Sequence, residues 1–139
     1  MHPSTDHLTQ DISKAINGQY SAIACYSRLA EIAPTEEERK QILEIRKDEI
    51  NHYQVFSQIY VAITGTQPTP QLTETCPPGY KNGLQFAFKD EQNTVDFYLD
   101  IAGKAQDPYI REKFKRAAAD EQNHAVWFLY YYTKLCCKR

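Results

Sequence analysis

The chain lacks the features that mark several common classes of protein. Its four cysteines, Cys25, Cys76, Cys136 and Cys137, form no Cys-x-x-Cys pair, which excludes a zinc knuckle and a rubredoxin-type iron site. A net charge of -2 gives no electrostatic basis for binding nucleic acid or an anionic membrane. No apolar run reaches the length that spans a bilayer, and the N-terminus lacks the basic-then-apolar pattern of a signal peptide. We therefore expect a soluble, cytoplasmic protein with a single domain over residues 1–139.

Strand signals are also missing, and heptad-spaced apolar residues take their place. This spacing predicts an all-α protein with helices at about 9–33, 36–64, 80–106 and 108–135. Pro34 and Gly65 mark two helix ends, and Thr35 opens a capping box followed by three glutamates. We predict that residues 1–8 form a loose arm and that the acidic start of the second helix is solvated.

The segment 65–79 contains four prolines and two glycines, and it shows no helical or strand pattern. Loops of this length are uncommon in compact domains and need a reason. The fourteen residues 66–79 reach about 45 Å when extended, whereas a 27-residue helix is about 40 Å long. The sequence therefore predicts two helical hairpins joined by a crossover that runs the length of a four-helix bundle.

A five-residue motif occurs twice. Asp48-Glu49-Ile50-Asn51-His52 is repeated as Asp120-Glu121-Gln122-Asn123-His124, at an offset of 120 − 48 = 72 residues. The same offset relates Gln19 to Glu91 and Tyr26 to Tyr98. A glutamate and a histidine three residues apart lie on one face of a helix, which lets that helix offer two ligands to a metal.

Six polar residues fall on the otherwise apolar seams of the predicted helices: Gln19, Glu49, His52, Glu91, Glu121 and His124. A buried carboxylate without a partner costs several kcal/mol, and no lysine or arginine lies on these seams. A bound metal is the cation that this pattern favours. Two alternatives stay open at this point: a solvated charged face, and a carboxylate–imidazole cluster without metal.

The pattern resembles the ferritin-like superfamily, and in particular its rubrerythrin-like branch. In that family two helices each give one glutamate and two give Glu-x-x-His, and together they bind two iron ions. The resemblance implies that Glu49 and Glu121 lie between the metals, that His52 and His124 each bind one, and that Glu91 is a terminal ligand. It also implies supporting roles for the following residues: Asp48 as acceptor for His124, Asp120 as acceptor for His52, and Tyr26 and Tyr98 as donors to ligand carboxylates.

The chain departs from that family in two ways. Gln19 stands where the family has a carboxylate, so we expect a weaker metal position near His52, and zinc or manganese are alternatives to iron. The rubredoxin-like module is missing, so a redox-active form would need an external electron-donor protein.

Three functions fit the pattern. The leading one is a dinuclear, di-iron redox protein that acts on peroxide or oxygen. The others are iron oxidation for storage, and a non-catalytic binding module whose site is impaired by Gln19. The apolar and aromatic segment 125–132 predicts a homodimer. For Cys136 and Cys137, a reactive thiol pair and two inert thiols remain open.

Overall fold

The computed structural model describes residues 3–136, with side chains for residues 7–135. Over this part of the chain it contains four helices: α1 (Pro3–Ile32), α2 (Glu36–Thr64), α3 (Tyr80–Lys104) and α4 (Pro108–Cys136). The predicted all-α, ferritin-like four-helix bundle is confirmed. Cys137 and His2 lie outside the described residues, as does the side chain of Cys136.

The predicted loose arm at residues 1–8 is wrong for the described part of that segment, because α1 begins at Pro3. Proline fits the first turn of a helix, since its fixed φ is helical and its missing N–H would have no partner there. Leu8 packs against the apolar core, which gives the first turns a reason to stay helical. The third helix, α3, ends at Lys104, two residues before the predicted Gln106.

The helix ends follow the predicted chemistry. The Thr35 hydroxyl accepts a hydrogen bond from the Glu38 backbone N–H at 3.1 Å. Gly65 ends α2 with a left-handed φ of 75°. The prediction of a solvated start for α2 is wrong for Glu38, which is buried because Tyr80 of α3 covers it and donates a 3.0 Å hydrogen bond to its carboxylate.

The bundle consists of two tight hairpins packed side by side. α1 packs mainly on α2, and α3 packs mainly on α4, while α1–α3 and α2–α4 form smaller contacts. Between α2 and α3, the crossover runs along α1 from the level of Asn17 to that of Cys25. None of the four described helices is long and apolar enough to cross a membrane.

The core is divided into two apolar clusters along the bundle axis. One is built around Phe56, Tyr98 and Phe114, and the other around Tyr26 and Phe128. On each helix, the polar seam residues lie between the positions that contribute to the two clusters. The fold therefore places a polar layer at mid-height of the bundle, with an apolar cluster above it and another below it.

Two glycines of α3 provide a matched test of this packing. A Cβ added at Gly83 would lie 2.5 Å from Leu29 Cδ2, whereas a Cβ at Gly103 meets nothing within 4 Å. We expect Gly83→Ala to lower the free energy of unfolding by about 1–3 kcal/mol because Leu29 must shift. Gly103→Ala should raise it by about 0.4–1 kcal/mol because the unfolded chain loses freedom. Urea unfolding checks both, and equal effects would contradict the close α1–α3 contact.

Candidate metal centre

All four helices contribute side chains to the polar layer. α1 gives one residue, α3 gives one, and α2 and α4 give two each: Gln19, Glu91, Glu49 with His52, and Glu121 with His124. All six are buried, with no more than 4% of any residue exposed. The solvated-face alternative is therefore wrong, because these carboxyl and imidazole groups are held away from water.

Four of the six form a compact group. Glu49, Glu91, Glu121 and His124 each present one potential ligand atom, and these atoms all lie within 4.8 Å of one another. Among the described residues, the buried atoms without a hydrogen-bond partner include Glu49 Oε2, Glu91 Oε2, Glu121 Oε1 and His124 Nδ1. Unpaired lone pairs in a dry interior are costly, and oxygen with imidazole nitrogen is a donor set that suits iron, manganese or zinc. The residues present therefore fit a metal site.

The other end of the layer is less complete. His52 Nδ1 lies 3.0 Å from Glu49 Oε1 and 3.2 Å from Glu121 Oε1. Gln19 donates through its Nε2 to the Tyr98 hydroxyl, and its Oε1 is buried without a partner among the described residues. A second cation here would meet an amide oxygen where the opposite end offers Glu91.

Each histidine is held by an aspartate of the opposite hairpin. His52 Nε2 donates to Asp120 Oδ2, and His124 Nε2 donates to Asp48 Oδ2, both at 2.8 Å. Both hydrogen bonds connect the pairs that the family resemblance implied. They fix the ring orientation and turn each Nδ1 toward the centre of the layer, which is how an outer carboxylate prepares an imidazole for metal binding.

The tyrosines also connect across the bundle. Tyr26 of α1 donates to Glu91 of α3, and Tyr98 of α3 accepts from Gln19 of α1. Both rings are buried. Tyr26 thus meets a carboxylate as expected, whereas Tyr98 meets an amide because its partner position holds Gln19.

Crowding of these groups changes their proton affinities. Burial and the charge of Glu49 raise the pKa of Glu91 to about 7, and burial with both neighbouring glutamates raises the pKa of Glu121 well above its usual range. Burial alone would lower the histidine pKa values, but carboxylate partners raise those of His52 and His124 to about 9. Burial would raise the pKa of Glu49, but hydrogen bonds from Glu121 and His52 lower it to about 2. Without metal, the folded polar layer therefore binds protons at pH values where the same groups in an unfolded chain would release them.

These bound protons predict an unusual pH dependence for the stability of the metal-free protein. The folded state holds protons on Glu91, His52 and His124 at pH values where the unfolded chain has released them. Its stability should therefore fall as pH rises, from about 4.5 through 7 for Glu91 and from about 6.5 through 9 for the histidines. Glu49 contributes in the opposite sense, and its share is lost only as pH falls from 4.5 toward 2.

In the presence of a chelator, the melting temperature should drop by roughly 10 °C between pH 6 and pH 9. Metal binding requires deprotonated ligands, so the increase caused by added metal should grow over the same range. Calorimetry at several pH values measures both. A flat profile for the chelated protein would contradict this binding of protons.

A cavity of about 270 Å³ reaches the layer between α1 and α3. Its inner wall includes Gln19, Glu49 and Glu121, and its outer wall includes Glu74 of the crossover and Asp90 of α3. Burial and the Glu74 carboxylate raise the pKa of Asp90 to about 8. Sequence reasoning missed Glu74 and Asp90. The available signal was that Asp90 precedes Glu91 as Asp48 precedes Glu49.

Comparison of the sequence with known proteins assigns the chain to a family. A family model described as Rubrerythrin matches residues 82–138, the part that carries Glu91, Glu121 and His124. The uncharacterized protein YhjR of Bacillus subtilis (strain 168) is 56% identical over 124 residues, which is 89% of this chain and 86% of YhjR. The chain belongs to the rubrerythrin-like family of ferritin-like proteins.

Solved structures share the fold of this rubrerythrin-like chain. Ferritin-like, diiron-carboxylate proteins from Bacillus anthracis str. Ames superpose with a TM-score of 0.83 at 20% identity, covering 95% of this chain and 99% of the other. A hypothetical protein from Pyrococcus furiosus gives 0.82 at 18% identity, covering 93% and 90%. A Rhodobacter capsulatus bacterioferritin with a metal-free dinuclear site gives 0.74 at 17% identity, covering 92% and 84%. At these identities the likeness concerns the fold alone.

Proposed function

We propose that this chain is a dinuclear metal redox protein that acts on peroxide or oxygen. The observation that carries the proposal is the set of buried, unpaired oxygen and nitrogen atoms that converge from four helices between two apolar clusters. A hydrogen-bonded cluster without metal would leave these atoms unsatisfied, so that alternative is disfavoured.

In this proposal Glu49 and Glu121 would contribute carboxylate oxygens to both cations, and each histidine would bind one cation through Nδ1. Glu91 would serve the cation held by His124, and Gln19 would serve the cation held by His52. When bound, two ferrous ions would supply the two electrons that cleave a peroxide O–O bond. Zinc or manganese are the alternatives that the same donor set allows.

The surrounding residues would orient ligands and manage protons. Asp48 and Asp120 hold each imidazole as the Nε2–H tautomer, which keeps its Nδ1 lone pair directed inward. Tyr26 donates to Glu91 and limits how that carboxylate can rotate. The cavity beside Gln19 is the route by which a molecule as small as peroxide would reach the layer.

Two kinds of partner are part of the proposal. An external protein would return electrons after each turnover, since the chain carries no Cys-x-x-Cys iron module. A second copy would cover the apolar side of α4, where Val126, Leu129 and Tyr130 are about half exposed or more.

A second candidate is metal binding without turnover, and Gln19 is the observation that favours it. An amide oxygen is a neutral and weaker ligand for a hard cation, so three carboxylates would leave part of the charge of two divalent ions unbalanced. A protein of this kind would hold one metal firmly and exchange few electrons.

Metal analysis and rapid mixing separate these candidates. Protein produced in iron-replete medium is analysed for bound metal, reduced anaerobically and mixed with hydrogen peroxide in a stopped-flow instrument. The leading proposal expects about two irons per chain and rapid growth of ferric absorption. One metal per chain with no absorption change would favour the second candidate. Absence of bound iron, zinc and manganese would contradict both.

A further inference from the structure

The crossover is attached to α1 by a regular series of side chains. Asn17 Oδ1 accepts from the Gln71 N–H at 2.9 Å, and Ser21 Oγ accepts from the Thr73 N–H at 3.0 Å. The next position at the same four-residue spacing is Cys25, on the same face of α1. On this face of α1, the two side chains that bind the crossover are therefore followed by the thiol of Cys25.

Cys76 of the crossover meets that thiol. Its Sγ donates to the Cys25 carbonyl oxygen at 3.8 Å, and both side chains belong to the same apolar cluster. Both cysteines are free and buried, with 6% of each exposed. Burial, together with the neighbouring Cys76 thiol, raises the pKa of the Cys25 thiol. The Cys76 thiol thus lies against Cys25, although 51 positions separate the two residues in the sequence.

We propose that Cys25 and Cys76 form a dithiol–disulfide redox site that joins the crossover covalently to α1. The oxidant is a hydroperoxide. The Cys76 sulfur attacks one peroxide oxygen, the O–O bond breaks, and the other oxygen leaves as water or alcohol, giving a sulfenic acid. The Cys25 sulfur then displaces that hydroxyl as water and forms the S–S bond. Two thiols lose two electrons and two protons, and the peroxide gains them.

The local structure allows this reaction. A disulfide requires an S–S distance of about 2.05 Å, so the sulfurs must approach each other, and the crossover has no helical hydrogen bonds that oppose such a shift. A small cavity beside Cys25, lined in part by Ser21 and Phe86, has room for about one water-sized molecule. Cys25 therefore borders a small void, and the segment that carries Cys76 is free to move toward Cys25.

The bond would have a consequence beyond the crossover itself. Glu74, two residues before Cys76, lines the cavity that leads to Gln19 and Glu49. A disulfide at Cys76 would fix this wall, whereas the dithiol form leaves it held by hydrogen bonds and apolar packing. The redox state of the thiols would then set how freely small molecules enter the polar layer.

The test uses the full chain with Cys136→Ser and Cys137→Ser, which leaves Cys25 and Cys76 as its cysteines. Chelator-treated protein is exposed to a small excess of hydrogen peroxide, blocked with N-ethylmaleimide, and mapped by peptide mass spectrometry. We expect one linked Cys25–Cys76 peptide, loss of two free thiols, and a melting temperature raised by roughly 10 °C. Dithiothreitol should reverse all three.

Two further variants make the result decisive. Cys76→Ser and Cys25→Ser, each on the same background, should lose the linked peptide and the rise in melting temperature. Two unreacted thiols, links between chains, or sulfinic acid at both positions would overturn the proposal. Because the assay uses metal-free protein, these outcomes are independent of whether the polar layer binds iron.

Discussion

Replacing Glu121 with glutamine is expected to abolish binding of both metals while leaving the metal-free fold intact. Glu121 Oε1 lies 3.2 Å from His52 Nδ1 and 3.6 Å from His124 Nδ1, so its carboxylate serves both ends of the layer. Metal at 100 to 1,000 times its dissociation constant stabilises a protein by about 3–4 kcal/mol. The variant should lose that entire increment, and metal analysis after gel filtration should find no retained iron.

The metal-free variant provides the discriminating measurement. Burial, with Glu49 and Glu91 nearby, raises the pKa of Glu121 well above its usual range, which favours the neutral form in the folded, metal-free protein. A neutral amide of the same shape should therefore change the stability of the chelated protein by less than about 1 kcal/mol. Glu112→Gln, at an exposed position of the same helix, is the matched control and should keep both metals. A large loss of stability without metal would mean that Glu121 is a structural residue.

Replacing Gln19 with glutamate should have the second-largest effect, and in the opposite direction. The variant places a fourth carboxylate beside His52, where the natural chain offers an amide oxygen without a partner. Four carboxylates balance the charge of two divalent ions, so we expect the second metal to bind at least roughly tenfold tighter, a change of about 1.4 kcal/mol. Titration with ferrous iron under anaerobic conditions measures the affinities of both positions.

The same substitution should weaken the metal-free protein. A further acid in a layer that already crowds three glutamates adds repulsion and desolvation, since Gln19 is itself buried. Gln10→Glu, at an exposed position of α1, controls for the chemistry of the change and should alter neither property. Unchanged metal stoichiometry and affinity in Gln19→Glu would remove Gln19 from the ligand set.

The order of the elements could be read from the sequence because each one has a local cause. Gly65 ends α2 with a left-handed residue, and the prolines between 65 and 79 exclude a helix there. The offset of 72 residues indicated that each hairpin carries one Glu-x-x-His pair. The pairing of Asp48 with His124 followed from the family resemblance, because periodicity alone does not specify which helix lies opposite which.

Other features depend on contacts between segments that are distant in the sequence. Nothing in the acidic start of α2 indicates that Tyr80 covers Glu38, and nothing in Cys25 or Cys76 indicates that they meet. The cavity also could not be predicted from the sequence, because α1, α3 and the crossover together form its walls. These features result from tertiary contacts, so the residue pattern along one helix does not predict them.

The distribution of the ligands has a consequence for how the two halves of the molecule stay together. Each hairpin carries one Glu-x-x-His, and the hydrogen bonds of Asp48, Asp120, Tyr26 and Gln19 all run from one hairpin to the other. The helices lie against each other more extensively inside the hairpins than between them. Ions bound at mid-height would therefore connect the two hairpins. Their release would weaken the contact between the hairpins before any single helix unfolds.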